Sequence, residues 1–159
     1  MIRVHVAEVF TTAIQHFMVA EDEETGRIVG TLGIADEDSY PILIQPKKLR
    51  QVFGFIRGTI ASHIMKDEFY QPKSFRESHA HISFVAVRHS ARGHRLATRL
   101  LEALLARNDY RVYSLDVVEG NERVIPIYES ASFIHTGKEK EKGLFKKGFS
   151  FRHQMEYRP

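Results

Sequence analysis

A chain of 159 residues with 43% hydrophobic and 27% charged residues and a formal net charge of +3 has the make-up of one globular domain, large enough to bury a core without staples. It holds no cysteine, which excludes a disulfide framework, thiolate chemistry and cysteine-based metal sites. The mild charge, with acids scattered among the bases, argues against a nucleic-acid partner, and the lack of a signal-length or membrane-spanning apolar run makes a cytoplasmic protein with no membrane partner the expectation.

Val6, Val9, Phe10 and Ile14 recur at helical spacing and predict a short first helix over 6–15. Residues 17–20 read as a strand, 21–26 as a charged turn and 27–34 as a second strand ending near Asp36, together a hairpin. From 36 to 78, prolines and glycines punctuate apolar residues. Pro46 suits the first turn of a helix running to Ile56, and 59–66 suits another. Regular alternation comes next: strand 82–87, helix 96–107, strand 112–118, helix 123–130, and Phe133 and Ile134 opening a further strand. Strand, helix, strand in succession implies a parallel pair with a right-handed crossover. The mixed stretch 138–147 reads as a solvated hairpin loop, and alternation of Phe149, Phe151, His153, Met155 and Tyr157 predicts a long strand over 147–157. The expectation is one α/β domain over 1–159 built on a mixed sheet: a short helix and hairpin (1–35), a helical insertion (36–78) and a core (79–159).

The strand 82–87 runs through Arg88, His89, Ser90, Ala91, Arg92, Gly93, His94 and Arg95 into the helix. The first turn of a helix has backbone N–H groups without intrahelical partners and carries partial positive charge. Gly93 keeps no side chain between that backbone and an anion, and Arg92 and Arg95 can add charge-assisted hydrogen bonds to phosphate. The plainer reading is a helix capped by Ser90 with solvated arginines. His79 and His81 share a strand face, but no third ligand of suitable spacing accompanies them, so no metal is expected.

Val85-Ala86-Val87 followed by Arg92-Gly93-His94-Arg95-Leu96-Ala97 resembles the acyl-coenzyme A binding motif of the GNAT superfamily of N-acetyltransferases. Leu115 to Asn121, and Tyr128-Glu129-Ser130-Ala131-Ser132-Phe133, resemble that family's second signature: an asparagine after a strand, then a tyrosine on a short helix and a terminal phenylalanine. The likeness runs from about Ile82 to Phe133. It departs where Arg95 takes the place of the motif's first fixed glycine and Ser132 that of the glycine before the phenylalanine. The front end is also short, with about sixteen residues before Phe17 where the family spends a strand and two helices.

The resemblance implies a mostly antiparallel sheet with a central splayed parallel pair flanked by helices, and transfer of an acetyl group from acetyl-CoA to a primary amine of a small molecule or protein by direct attack. It implies cofactor contacts from Val85, Ala86, Val87, Arg92, Gly93, His94, Arg95, Leu96, Ala97, Thr98 and Asn121, the valines through their backbone, with Tyr128 as general acid to the departing sulfur. The tyrosine also reads as a packed aromatic and Asn121 as a helix cap. The base is open among Glu119, Asp116, His79 and His81. Because the family builds its acceptor site from the early helices, this chain is expected to complete it from 36–78 or from a homodimer partner. A non-catalytic acyl-CoA sensor is the alternative, and an unrelated phosphate-binding fold would require the second signature to be accidental.

Overall fold

The computed structural model describes residues 2–6, 17–36, 40–41, 44–69, 78–141 and 148–159. They form seven strands: β1 (Ile2–Val6), β2 (Phe17–Asp22), β3 (Arg27–Ala35), β4 (His79–Val87), β5 (Val112–Val118), β6 (Ile134–Lys140) and β7 (Phe151–Tyr157). Their α-helices are α1 (Pro46–Phe53), α2 (Phe55–Phe69), α3 (Leu96–Leu105) and α4 (Ile125–Ser130). The strands make one sheet in the order β1-β2-β3-β4-β5-β7-β6, antiparallel throughout except for the central parallel pair β4·β5.

The core lies between this sheet and α3. Leu96, Leu100, Leu101 and Leu104 recur at helical spacing, and each is buried against Leu32, Ile34, Ile82, Leu115, Val117 and Met155 of the sheet. At about 2 kcal/mol per fully buried leucine, this stripe is the largest apolar contribution to holding α3 in place. β5 shows the complementary period of two: Tyr113, Leu115 and Val117 are buried, while Ser114 and Asp116 point to the other face.

Several boundaries differ from expectation for local physical reasons. Val6 closes β1 instead of opening a helix, since Ile2, Val4 and Val6 alternate with Arg3 and His5. The rest of that expected helix, 7–15, lies outside the described residues. β4 begins at His79 rather than Ile82. α1 stops at Phe53 because Gly54 adopts φ 79°, which no right-handed helix continues, and α2 then runs longer than 59–66. β6 extends through Lys140, so 138–140 belong to a strand rather than a loop, and the Lys138 ammonium sits over the Phe151 ring at 3.3 Å. Residues 142–147 lie outside the described set. β7 starts at Phe151, not at 147.

Two connections leave the same end of the sheet. β1 and β3 each run antiparallel to β2, so both finish towards the same end of the sheet, Val6 opposite Met18 and Ala35 opposite His81. The turn after Val87 is at the other end. Between His81 and Val87 a strand advances about 20 Å at ~3.3 Å per residue.

Candidate active site

The parallel pair is closed at one end and open at the other. Its ladder runs from His79↔Val112 to Ile82↔Leu115, and no further pair joins the two strands among the described residues. The break coincides with a bulge in β4. The β3·β4 register shifts between Thr31 and Gly33, opposite Phe84 and Val85, and Phe84 takes φ 53°. An extra residue on one strand bends it and interrupts pairing. Thr31 Oγ1 donates to the displaced Phe84 carbonyl at 3.2 Å, which secures the bulge from β3.

Peptide direction is read from the next bond. Arg88 N–H donates to the Val29 carbonyl at 2.8 Å, towards β3. Because peptide groups alternate in direction along a strand, those of Val87 and Val85 point the other way, into the gap between β4 and β5. Because the bulge adds a residue to β4, the β4·β5 register does not carry past Ile82↔Leu115; Val85 and Val87 face the end of β5 and the residues just after it across the gap. The valine side chains pack on the core while Ala86, on the opposite face, is exposed. Core packing by side chains and a ligand role for backbone therefore coexist at these positions.

The turn beyond Val87 has a defined shape. A 3-10 turn over His89–Ala91 contains Ser90, so Ser90 does not cap α3. The helix begins after Arg95, whose carbonyl accepts the first helical bond, from Arg99 N–H at 2.9 Å. Arg95, at the cap position, makes no side-chain bond to the N–H groups of this end. Gly93 has φ 84° with open space around it, so the backbone angle alone requires glycine. Arg95 has φ 54°, the left-handed region, and its side chain is exposed. The residue that departs from the glycine of the motif thus keeps a conformation that glycine favours.

Arg92 Nε donates to the Val87 carbonyl at 3.3 Å, tying the turn back to the open strand end. Among the described residues neither Arg95 nor His94 makes a side-chain hydrogen bond or ion pair, and both are exposed beside the uncapped helix end. Leu96 and Thr98 point into the core, so only their backbone N–H groups are available; Ala97 is half-buried.

The facing wall comes from β5 and the residues just after it. Asn121 N–H donates to the Val118 carbonyl at 3.1 Å, which folds the chain over the end of β5. Asn121 precedes a 3-10 turn (Glu122–Val124), but its side chain makes no capping bond, so the cap role expected for its amide is absent. Tyr128 on α4 packs against the core, edge-on to Phe133 with ring centroids 6.3 Å apart. Its hydroxyl makes no hydrogen bond among the described residues. Burial raises the phenol above the ordinary tyrosine range, because the phenolate would lose its hydration. The packed-aromatic reading holds for the ring, and the oxygen remains a protonated donor.

The four base candidates separate by position. His79 and His81 lie in the closed half, where His79 Nε2 is 2.8 Å and His81 Nδ1 3.0 Å from Ser114 Oγ. They belong to the ladder rather than to the gap, which corrects the expectation that they border the site. Asp116 and Glu119 stand at the open end. Glu119 accepts from Ser150 N–H at 2.6 Å, and Asp116 lies 3.9 Å from Arg152, which also binds Glu141 at 2.8 Å. Thr31, which fixes the bulge, and Arg152, which lies between Asp116 and Glu141, have no motif to announce them; only the alternation of β3 and β7 puts them on this face. Among the described residues no group of three or more histidines and carboxylates could hold a metal ion.

The family model for the acetyltransferase (GNAT) family matches residues 5–133. No curated protein matches the chain. Among solved structures, a ribosomal-protein-alanine N-acetyltransferase from Brucella melitensis is similar at 20% identity and TM-score 0.57, over 90% of this chain and 68% of that one. An N-acetyltransferase from Staphylococcus aureus Mu50 is similar at 18% identity and TM-score 0.55, over 89% of this chain and 66% of that one. A putative acetyltransferase from Salmonella typhimurium, solved with its cofactor acetyl-CoA, is similar at 18% identity and TM-score 0.56, over 89% and 63%. This chain therefore spans about two thirds of the length of these structures, and at such identities the likeness is one of fold. With a family model covering most of its length and the splayed pair, uncapped turn and tyrosine in the matching order, the chain belongs to the acetyltransferase (GNAT) family.

Proposed function

We propose that this chain is an N-acetyltransferase that moves an acetyl group from acetyl-CoA to a primary amine of a small molecule or a protein by direct attack. The observation that carries the reading is the end of the β4·β5 ladder after Ile82, which leaves the peptide groups of Val85 and Val87 turned into a gap beside an uncapped helix end. In this reading the backbone of Val85 and Val87 aligns the thioester arm, and a Val85 or Val87 N–H polarises the carbonyl as negative charge develops on its oxygen. The N–H groups of Leu96, Ala97 and Thr98, with Arg92, Gly93, His94 and Arg95, seat the pyrophosphate. Asn121 donates to the arm from the β5 side, and Ala86 borders it.

The amine nitrogen forms a bond to the carbonyl carbon as the carbon–sulfur bond breaks, and Tyr128 gives its proton to the departing thiolate. The amine proton passes through water to Asp116 or Glu119, and water returns a proton to Tyr128. The raised phenol supports the acid role, since a donor must hold its proton until the sulfur leaves.

The test has two steps. Acetyl-CoA is expected to raise the melting temperature more than ATP does, because a ligand that binds only the folded state stabilises it. Thiol release across a panel of amines then reports turnover. No thermal shift at saturating acetyl-CoA would overturn the cofactor reading. A shift without thiol release for any amine would leave a binding module in place of an enzyme.

A further inference from the structure

We propose that the apex of the α1–α2 hairpin docks the protein on an anionic bilayer surface. The inference uses none of the residues assigned above to the cofactor, the acid or the base, and it does not rest on the acetyl-transfer reading. Seven consecutive residues at the apex, 51–57, are exposed, and four of them are large and apolar: Val52 at 74%, Phe53 at 55%, Phe55 at 73% and Ile56 at 73%. Ile60 continues the patch one turn further along α2 at 42% exposure. Such a contiguous area, on the order of several hundred Å², is the size at which exposed apolar surface marks an interaction.

The hairpin holds this shape by itself. α1 and α2 are joined by Gly54 alone, Gly58 lies against the backbone of Leu49 and Arg50 where a Cβ would not fit, and Arg50 reaches over the Phe55 ring at 5.7 Å. Among the described residues the two helices pack chiefly on each other, and no sheet element covers the apex.

Charge decides the occupant. Arg50 and Arg57 flank the apolar tip, Lys47 and Lys48 lie in the first turn of α1 about 8–9 Å of helix rise from Phe53, and residues 44–66 contain no acid. Asp67 and Glu68 come only at the far end of α2, about 15 Å of helix rise from Arg57 at ~1.5 Å per residue. A second copy docked tip to tip would bring two sets of basic residues together, which opposes that arrangement. A folded partner would need a pocket matched to these exposed side chains, whereas the interface of a bilayer accepts apolar side chains from any direction and its anionic headgroups attract the basic residues beside them. This is docking on a surface, distinct from crossing, for which no helix among the described residues is long and apolar enough. Both roots of the insertion leave the closed end of the sheet, opposite the turn at 88–95.

The experiment is co-sedimentation of the full chain with phosphatidylcholine vesicles, with and without phosphatidylserine. Binding is expected only with phosphatidylserine, and it should weaken severalfold as salt is raised to about 0.5 M. The variant Phe53→Ser/Phe55→Ser/Ile56→Ser changes only exposed side chains and should lose tenfold or more in partitioning. Lys47→Glu/Lys48→Glu should lose a comparable amount, with circular dichroism and melting temperature unchanged in both. Absence of phosphatidylserine-dependent binding overturns the proposal, as does binding undiminished in the apex variant. A dimer in solution that the apex variant dissociates would assign the tip to a second copy, and apex-dependent capture of polyglutamate without vesicle binding would assign it to an acidic polypeptide; either result also overturns it.

Discussion

The two ends of the β4·β5 pair are built from the same strands and do opposite things. At the closed end the ladder is complete and the polar side chains are used on one another, with His79 and His81 both on Ser114. At the open end the ladder stops, the peptide groups of Val85 and Val87 turn into the gap, and the Tyr128 hydroxyl has no hydrogen-bond partner among the described residues. One bulge separates the two halves. Phe84 at φ 53° bends β4 away, so backbone capacity that the closed end uses between strands is released at the open end, where Arg92 takes the Val87 carbonyl and the Val85 and Val87 N–H groups face the gap.

The sharpest way to break this contrast is Tyr128→Phe. If the open end does the chemistry, removing one oxygen should lower kcat about 10²-fold or more, while stabilisation by acetyl-CoA stays as in the parent. Because burial raises this phenol, the alkaline limb of kcat in the parent is expected above the ordinary tyrosine value of about 10, and it should vanish in the variant. Parental turnover in Tyr128→Phe would return the tyrosine to a packing role. Ser114→Ala is the control at the closed end. It should leave turnover within about twofold and cost about 1 kcal/mol of stability in denaturant unfolding, since two histidines lose a shared partner. A large fall in turnover there would erase the distinction between the ends.

Three phenols, Tyr113 buried and Tyr110 and Tyr128 half-buried, set a weaker, pH-dependent test. Tyr110 is raised mainly by burial and then by its hydrogen bond to Asp36, where its hydroxyl donates at 2.7 Å; Tyr113 and Tyr128 are raised by burial. Groups whose folded pKa exceeds the unfolded value contribute fully below the unfolded value of about 10 and lose their contribution as pH rises through the folded one. Stability is therefore expected to fall above pH ~10, and Tyr110→Phe should flatten part of that fall. An alkaline melting curve unchanged by the substitution would remove Tyr110 from this account.

Legibility in the sequence falls along the same division. The core stripe of α3 and the alternation of β5 are read directly, because buried apolar residues at period 3.6 or 2 leave a pattern. The first three residues of β4 are hidden by two histidines that are polar yet paired, and β1 by a Val6 that fits both periods. The insertion is readable as two helices, but its exposed tip is not, since Val52, Phe53, Phe55 and Ile56 look like core until the fold leaves them outside. At the site, the motif locates the turn and Tyr128. The bulge at Phe84, the bond from Thr31 that secures it, and Arg152 are matters of backbone angle and strand face that single residues do not announce.

The smallest expected effects are the most discriminating, because they compare two positions that share a backbone problem. Arg95 and Ser132 both stand where the family's motifs carry or commonly carry glycine, and both have positive φ, 54° and 66°. A left-handed residue with a Cβ costs about 1 kcal/mol or slightly more relative to glycine, while glycine returns part of that through its freer unfolded chain. Arg95→Gly and Ser132→Gly should therefore each stabilise the protein by about 0.5 kcal/mol, a rise of roughly 1–2 °C in Tm for a chain of this size. Their ligand responses should then diverge. Ser132 lies in the turn between α4 and β6, so its substitution should leave acetyl-CoA affinity unchanged. Arg95 stands at the uncapped end of α3 with an exposed guanidinium, so its loss should weaken acetyl-CoA about tenfold, the scale of a charge-assisted contact to phosphate. Equal affinities in the two glycine variants would mean that the arginine is merely tolerated in a strained turn, with the helix end alone holding the anion. Unequal affinities would mean that the strain persists because the side chain grips the ligand.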